Sequence, residues 1–234
     1  MSFLFKALTS SVAKKFVMAI TGLAWVFFLI THLLGNLALY RADGAPYNEY
    51  ADSLASLGWI LYIAEIGLVV LLVGHIVTAI QLKLLNRAAR PTAYAVESSK
   101  GGPSKKSVSS TTMIYTGLFI MGFVVWHVLQ FKFGPGIAEG YVTEVKDKDM
   151  RDLHRLVVEV FQNPIWVVFY VVGMIIMGLH VRHGFYSAFQ TIGVAGNKVS
   201  RTTRTIGLVL SIVLAVGFLF IPIWIYLGIP GRLQ

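Results

Sequence analysis

The sequence predicts an all-α integral membrane protein, one bundle of five transmembrane helices spanning residues 1-234 as a single membrane domain. Three observations carry that reading. The 234 residues are 56% hydrophobic with a mean hydropathy of +0.71, beyond the roughly half-apolar usage of soluble domains. Uncharged runs cover Phe16 to Tyr40, Ser107 to Phe131, Phe161 to Val181 and Thr205 to Gly231, each at or above the ~20 residues that cross a hydrocarbon layer. The runs are continuously apolar rather than alternating, which favours helices over a barrel because lipid offers backbone groups no other partner.

The first helix is expected over 16-40; it is too long for a secretory h-region and is read as retained. Before it, Phe3 to Lys15 is amphipathic and basic, a pattern suited to an anionic lipid surface. The second helix is expected over 59-84, where the apolar core Ile66 to Leu82 extends outward through Glu65 to Trp59. The third is expected over 107-132, the fourth over 161-188 and the fifth over 205-229. A linker over 86-110, with Pro91, Gly101, Gly102, Pro103 and several Ser and Lys, is either a partner contact or a solvated connection. The sequence shows no internal repeat and no second, soluble domain.

Orientation follows from lysine and arginine. Lys6, Lys14 and Lys15 precede the first helix; Lys83, Arg87, Arg90, Lys100, Lys105 and Lys106 fall in the second connection; Arg182, Lys198, Arg201 and Arg204 fall in the fourth. These three regions are expected to face the cytoplasm. In the other two connections Asp43, Glu49, Asp52, Glu139, Glu144, Asp147, Asp149, Asp152 and Glu159 balance or outnumber the bases. They are expected outside with the C-terminus. The net charge of +9 is therefore mainly a topology signal and only weakly a hint of nucleic acid, which is not expected as a partner.

On this topology the histidines fall into two levels. His32 lies 8 residues before Tyr40 and His127 lies 4 before Phe131, both on outward-running segments and so in the outer half. His75 lies 8 residues before Lys83 and His180 just before Arg182, both on inward-running segments and so in the inner half. At about 1.5 Å per residue the levels would stand roughly 10 to 20 Å apart. One histidine on an apolar helix is usually a polar contact between helices. Four of them in two level pairs, with none in the fifth segment, point instead to two stacked haems held by paired imidazoles. Glycines 22, 35, 67, 74, 117, 122, 173 and 178 lie in or at the ends of the same four segments, either as room for a porphyrin face or as ordinary close helix packing.

Missing chemistry narrows the class. The chain has no cysteine, hence no iron–sulfur cluster, no disulfide and no covalent haem attachment, so any haem is of b type. It has no phosphate-binding glycine loop, zinc motif or nucleophile elbow, and its connections are too short for a catalytic domain.

The stretches "KKFVMAITGL…THLLGNL", "LNRAARPTAY", "STTMIYTG…WHVLQF" and "DLHRLVVEVFQNPIWVVFYVVG…GLHVRHGFYSAFQTIG" resemble the five-helix, di-haem cytochrome b membrane anchor of succinate dehydrogenase and fumarate reductase, respiratory complex II. The resemblance covers nearly the whole chain. It implies that His32 with His127 hold the outer haem iron and His75 with His180 the inner one, the pairs that depth alone suggests. It implies a flavoprotein carrying FAD and an iron–sulfur subunit on the cytoplasmic face, a membrane quinone, expected to be menaquinone, as electron acceptor, and a bacterial cytoplasmic membrane as location. Some related fumarate reductases carry a glutamate two residues before the fourth-helix ligand; here that position is Gly178, which puts a proton route through it in doubt. Alternatives are another quinone-linked di-haem cytochrome b, such as a hydrogenase or formate dehydrogenase anchor, and a transporter whose histidines relay protons.

Lesser sites follow. His183, three residues past His180 at the basic boundary, is read as a propionate or interface contact; Arg182 is either a propionate partner or a topology charge. Glu65, the one carboxylate inside a spanning segment, is the candidate for quinone protonation, the alternative being a plain interfacial role. Glu49 and Tyr50 are weaker candidates. His154, in the charged outer connection, is expected to be solvated.

Overall fold

The computed structural model describes residues 10–41, 43–89, 108–193 and 197–228. Five helices are long and apolar enough to cross a membrane. In chain order the helices are α1 (Ser11–Asn36), α2 (Ala45–Ala55), α3 (Trp59–Ala88), α4 (Val108–His127), α5 (Leu153–Phe161), α6 (Pro164–Thr191) and α7 (Asn197–Tyr226). The spanning helices are α1, α3, α4, α6 and α7. The N-terminal leader before Ser10, Arg90 to Ser107 of the linker, and the last residues lie outside the described parts.

Local chemistry sets the helix ends. The Ser10 hydroxyl accepts from the Ala13 amide and starts α1, five residues before the uncharged run begins, so that Lys14 and Lys15 ride on its first turns. Asn163 caps α6 through the Ile165 amide, with Pro164 in the first turn. The helix α4 closes in a π turn, Val128–Lys132. There Arg151 donates to the carbonyls of Phe131, Lys132, Gly134 and Pro135, groups a helix end otherwise leaves without partners.

The core centres on α6. Tyr170, Gly173, Met174, Met177, Gly178 and Val181 are buried against neighbours on α1, α4 and α7. Hydrophobic force does not hold helices together in lipid, so small residues that allow close approach matter most. A Cβ at Gly178 would stand 2.8 Å from the Ala215 Cβ of α7, and one at Gly173 2.8 Å from the Phe123 ring of α4. By contrast α3 buries only Leu82, packs chiefly on α1 and barely touches α4.

The fold class is all-helical, as expected, and one expectation is corrected at the end of the bundle nearer His32 and His127, called the outer end. A short hairpin lies there, in which β1 (Val142–Val145) pairs antiparallel with β2 (Lys148–Arg151). Lys146 and Asp147 both adopt positive φ, 53° and 59°, the two-residue turn that matches strand twist. His154 is not solvated but 8% exposed. The reason is a small folded cap of α2, the hairpin and α5. Asn48 of α2 accepts from the His154 amide at 2.8 Å and donates to Asp152 at 2.8 Å. Lys146 pairs with Glu49 and Lys148 with Asp52, tying the hairpin to α2.

Candidate functional site

A cavity of about 1880 Å³ runs the depth of the bundle, walled by α1, α3, α4 and α6. Pockets for one small ligand are typically about 300–1,000 Å³, so this space exceeds a single ligand. His32, His75, His127 and His180 all line it. The His32 and His127 ring centres stand 5.8 Å apart, and those of His75 and His180 6.5 Å apart. Each level thus offers two imidazoles from different helices. Among the described residues no group of three or more His, Cys, Asp or Glu could hold a metal ion alone.

The inner rings are held from neighbouring helices. Nδ1 of His75 lies 3.1 Å from the Thr21 hydroxyl of α1, and Nδ1 of His180 lies 3.0 Å from the Thr116 hydroxyl of α4. Thr21 donates its proton to the Val17 carbonyl at 2.7 Å, and Thr116 to that of Met113 at 3.0 Å. A hydroxyl that gives its proton to its own helix carbonyl accepts from the ring Nδ1–H, an arrangement that leaves Nε2 its lone pair. The following glycines leave space for the ring edges: a Cβ at Gly22 would meet His75 Cε1 at 3.1 Å, and one at Gly117 would meet His180 Cε1 at 3.4 Å.

The outer rings are held differently. Phe28 stacks on His32 at 5.2 Å and Phe123 on His127 at 6.0 Å, both from one turn earlier in the same helix. Tyr170 donates to Gln130 at 2.7 Å, and its oxygen lies 3.4 Å from His127 Nδ1, longer than a well-formed bond.

Of the other expected residues, Glu65 lines the outer mouth of the cavity with Tyr62 and is ion-paired with Lys132 of the π turn. His183 lines the inner mouth, whereas Arg182 is exposed and is not part of the wall. The inner mouth carries two cations that the sequence reading took only as topology charges, Lys15 and Lys83. Tyr50 also lines the cavity, beneath Gly35; Glu49 does not, being paired with Lys146. Trp25 lines the wall, and its buried indole N–H finds no acceptor among the described residues.

The absence of an internal repeat is corrected at short range, and the repeat carries both threonines. "TGLAWVFFLITH" (residues 21–32) and "TGLFIMGFVVWH" (residues 116–127) share Thr-Gly-Leu, a phenylalanine seven residues after the threonine and a histidine eleven after it. Eleven residues are three helical turns, which puts Thr and His on one face about 16 Å apart.

Fold and site define a multi-pass membrane bundle built around an internal two-level cavity with a histidine pair at each level. The chain belongs to the succinate dehydrogenase/fumarate reductase transmembrane subunit family, whose model matches residues 86–221, more than half of its length. Comparison with curated proteins and with solved structures found no match. Members of the family are membrane subunits of succinate dehydrogenase and fumarate reductase complexes, and five apolar helices accord with a multi-pass place in a bacterial inner membrane.

Proposed function

We propose that this chain is the membrane anchor and electron conduit of a succinate:quinone oxidoreductase, with His32 and His127 holding an outer b haem and His75 and His180 an inner one. The observation that carries the reading is the pair of ring separations, 5.8 and 6.5 Å, across one continuous cavity. Two imidazoles that share one metal through bonds of about 2 Å stand with ring centres roughly 6 Å apart. The donor set also fits: Nδ1 of both inner rings faces a hydroxyl, which leaves Nε2 free for a metal, the usual partnership of a ligating histidine. The orphaned Trp25 indole on the wall suits a bound group carrying an acceptor. A b haem so held supplies a one-electron centre within the membrane.

The chain's own residues then anchor, insulate and protonate. The apolar surfaces of α1, α3, α4, α6 and α7 hold the bundle in lipid with the N-terminus in the cytoplasm and the C-terminus outside. The basic inner face receives an iron–sulfur subunit and, behind it, a flavoprotein that oxidises succinate. His183, Lys15 and Lys83 at the inner mouth offer donors to carboxylates of a bound porphyrin; Arg182 stays a topology charge. Quinone reduction consumes two protons as well as two electrons, and Glu65 at the outer mouth is the group placed to pass them in. The fumarate reductase direction uses the same residues in reverse.

The test is a reduced-minus-oxidised visible spectrum of the purified complex, with haem quantified per chain and succinate as reductant. Two succinate-reducible b haems per chain are expected; a colourless chain defeats the reading and favours a histidine-relay transporter. Replacing His32 or His127 should remove one haem selectively, and replacing His75 or His180 the other.

A further inference from the structure

We propose that Thr21 and Thr116 are positioning residues for the inner histidine pair: each fixes, from its own helix, the tautomer and ring plane of the imidazole on the neighbouring helix. Helices α1 and α4, whose own histidines serve the outer level, thereby set the electronic character of the inner one. The inference rests on the haem-pair reading above.

Three features of the geometry carry it. Both hydroxyls lie at hydrogen-bond distance from Nδ1, 3.1 Å for His75 and 3.0 Å for His180. Both hydroxyls also lie within reach of backbone carbonyls of their own helix, so a hydroxyl that gives its proton there accepts from the ring. Both are followed by a glycine against which the same ring's Cε1 edge rests. The two contacts come from equivalent places in the twin segments 21–32 and 116–127, and a chance polar contact would not be built twice with the same neighbours. In a bundle with few polar groups, a hydroxyl aimed at the far nitrogen of a ring decides which nitrogen carries the proton.

The outer level lacks this device. His32 packs between Phe28 and Phe218, and the oxygen facing His127 Nδ1 is 3.4 Å away. Donation of Nδ1–H to an acceptor makes an imidazole more electron-rich and favours the oxidised metal. Loss of that acceptor should therefore raise the reduction potential at the inner level alone.

The experiment uses the intact complex with Thr21→Val, Thr116→Val and the double variant, which keep side-chain shape, and Thr21→Ser and Thr116→Ser, which keep the hydroxyl. Haem content, redox titration and low-spin EPR are read for each. The expected result is two haems retained, with the midpoint potential of the same single haem raised in both valine variants, raised further in the double variant, and its EPR g values shifted. The serine variants should match the parent. Loss of that one haem in the valine variants but not in the serine ones leads to the same conclusion. Unchanged potentials and spectra in the valine variants, a shift of the other haem, or equal loss in valine and serine variants would overturn the proposal. A parent complex without haem would defeat the underlying reading before any variant is made.

Discussion

Glu65 on α3 and Lys132 at the end of α4 are ion-paired across the outer mouth of the cavity, joining two helices that otherwise hardly touch. Tyr62 and Phe133 place their rings within 5.8 Å of the same ammonium. Both charges are about one-third exposed, 32% for Glu65 and 39% for Lys132, and such pairs contribute only about 0.2–1 kcal/mol. A stability role alone therefore predicts little effect from breaking it.

A proton-delivery role predicts much more. Glu65→Gln should leave both haems and thermal stability in place while lowering succinate-dependent quinone reduction by about 100-fold, the scale of a lost general acid. Reversing the pair, Glu65→Lys with Lys132→Glu, restores the bridge and moves the carboxylate to α4. Steady-state quinone reduction that survives Glu65→Gln unchanged would reduce Glu65 to an interhelical tether.

The Arg151 guanidinium is the structural clamp of the outer end. It serves four carbonyls around the π turn, and burial draws its pKa below its ordinary value. Arg151→Ala should cost about 2–4 kcal/mol, since hydrogen bonds to a charged donor are the stronger kind and their acceptors would be left bare. Arg151→Lys should recover little, because an ammonium cannot fork across several carbonyls. Denaturation of the detergent-solubilised complex measures both.

His154 makes the cap sensitive to acid. Burial holds its imidazole below the usual 6.5, against the opposing pull of the Asp152 and Asp43 carboxylates. The unfolded chain then binds the proton more readily than the folded one, so this contribution to stability is complete above about pH 6.5 and is lost progressively as pH falls below it. Protection factors of the amides in α2 and α5, with exchange corrected for its intrinsic rate at each pH, should fall as the pH is lowered from about 7.5 to about 5.5, and His154→Gln should flatten that dependence. The left-handed Gly44, with φ of 65°, presses on the same ring, so Gly44→Ala should unseat it at any pH.

Gly178 joins α6 to α7. Alanine there would drive its Cβ to 2.8 Å from that of Ala215, and overpacking of this kind costs about 1–3 kcal/mol. Ala215→Gly should restore what Gly178→Ala removes. The same contact leaves no room for a glutamate, whose side chain would be forced into α7. Thermal denaturation of the single and double variants checks the pairing.

The spanning helices were legible because lipid imposes one rule on composition, and the apolar runs around His32, His75, His127 and His180 obey it. The outer cap was hidden for the opposite reason. In α5 an apolar face alternates with Arg155 and Glu159 over only nine residues, and the hairpin depends on two positive-φ residues, Lys146 and Asp147, that carry no glycine signal. His154 therefore reads as a charged-loop residue until α2 is folded over it. Thr21 and Thr116 were hidden by a different ambiguity. A threonine within a helix ordinarily satisfies itself on a carbonyl a turn back, as both do; the second lone pair acquires meaning only when another helix brings up a ring. Lys15 and Lys83 were read as topology charges, and only the converging helix ends turn them towards one mouth.

The loose seating of α3 makes the walls of the cavity unequal. Three of them interlock around the α6 core, whereas α3 leans chiefly on α1 and meets α4 mainly through the Glu65–Lys132 bridge. Of the four walls it is the detachable plank, the one whose displacement would open the cavity sideways while leaving the α6 core packed.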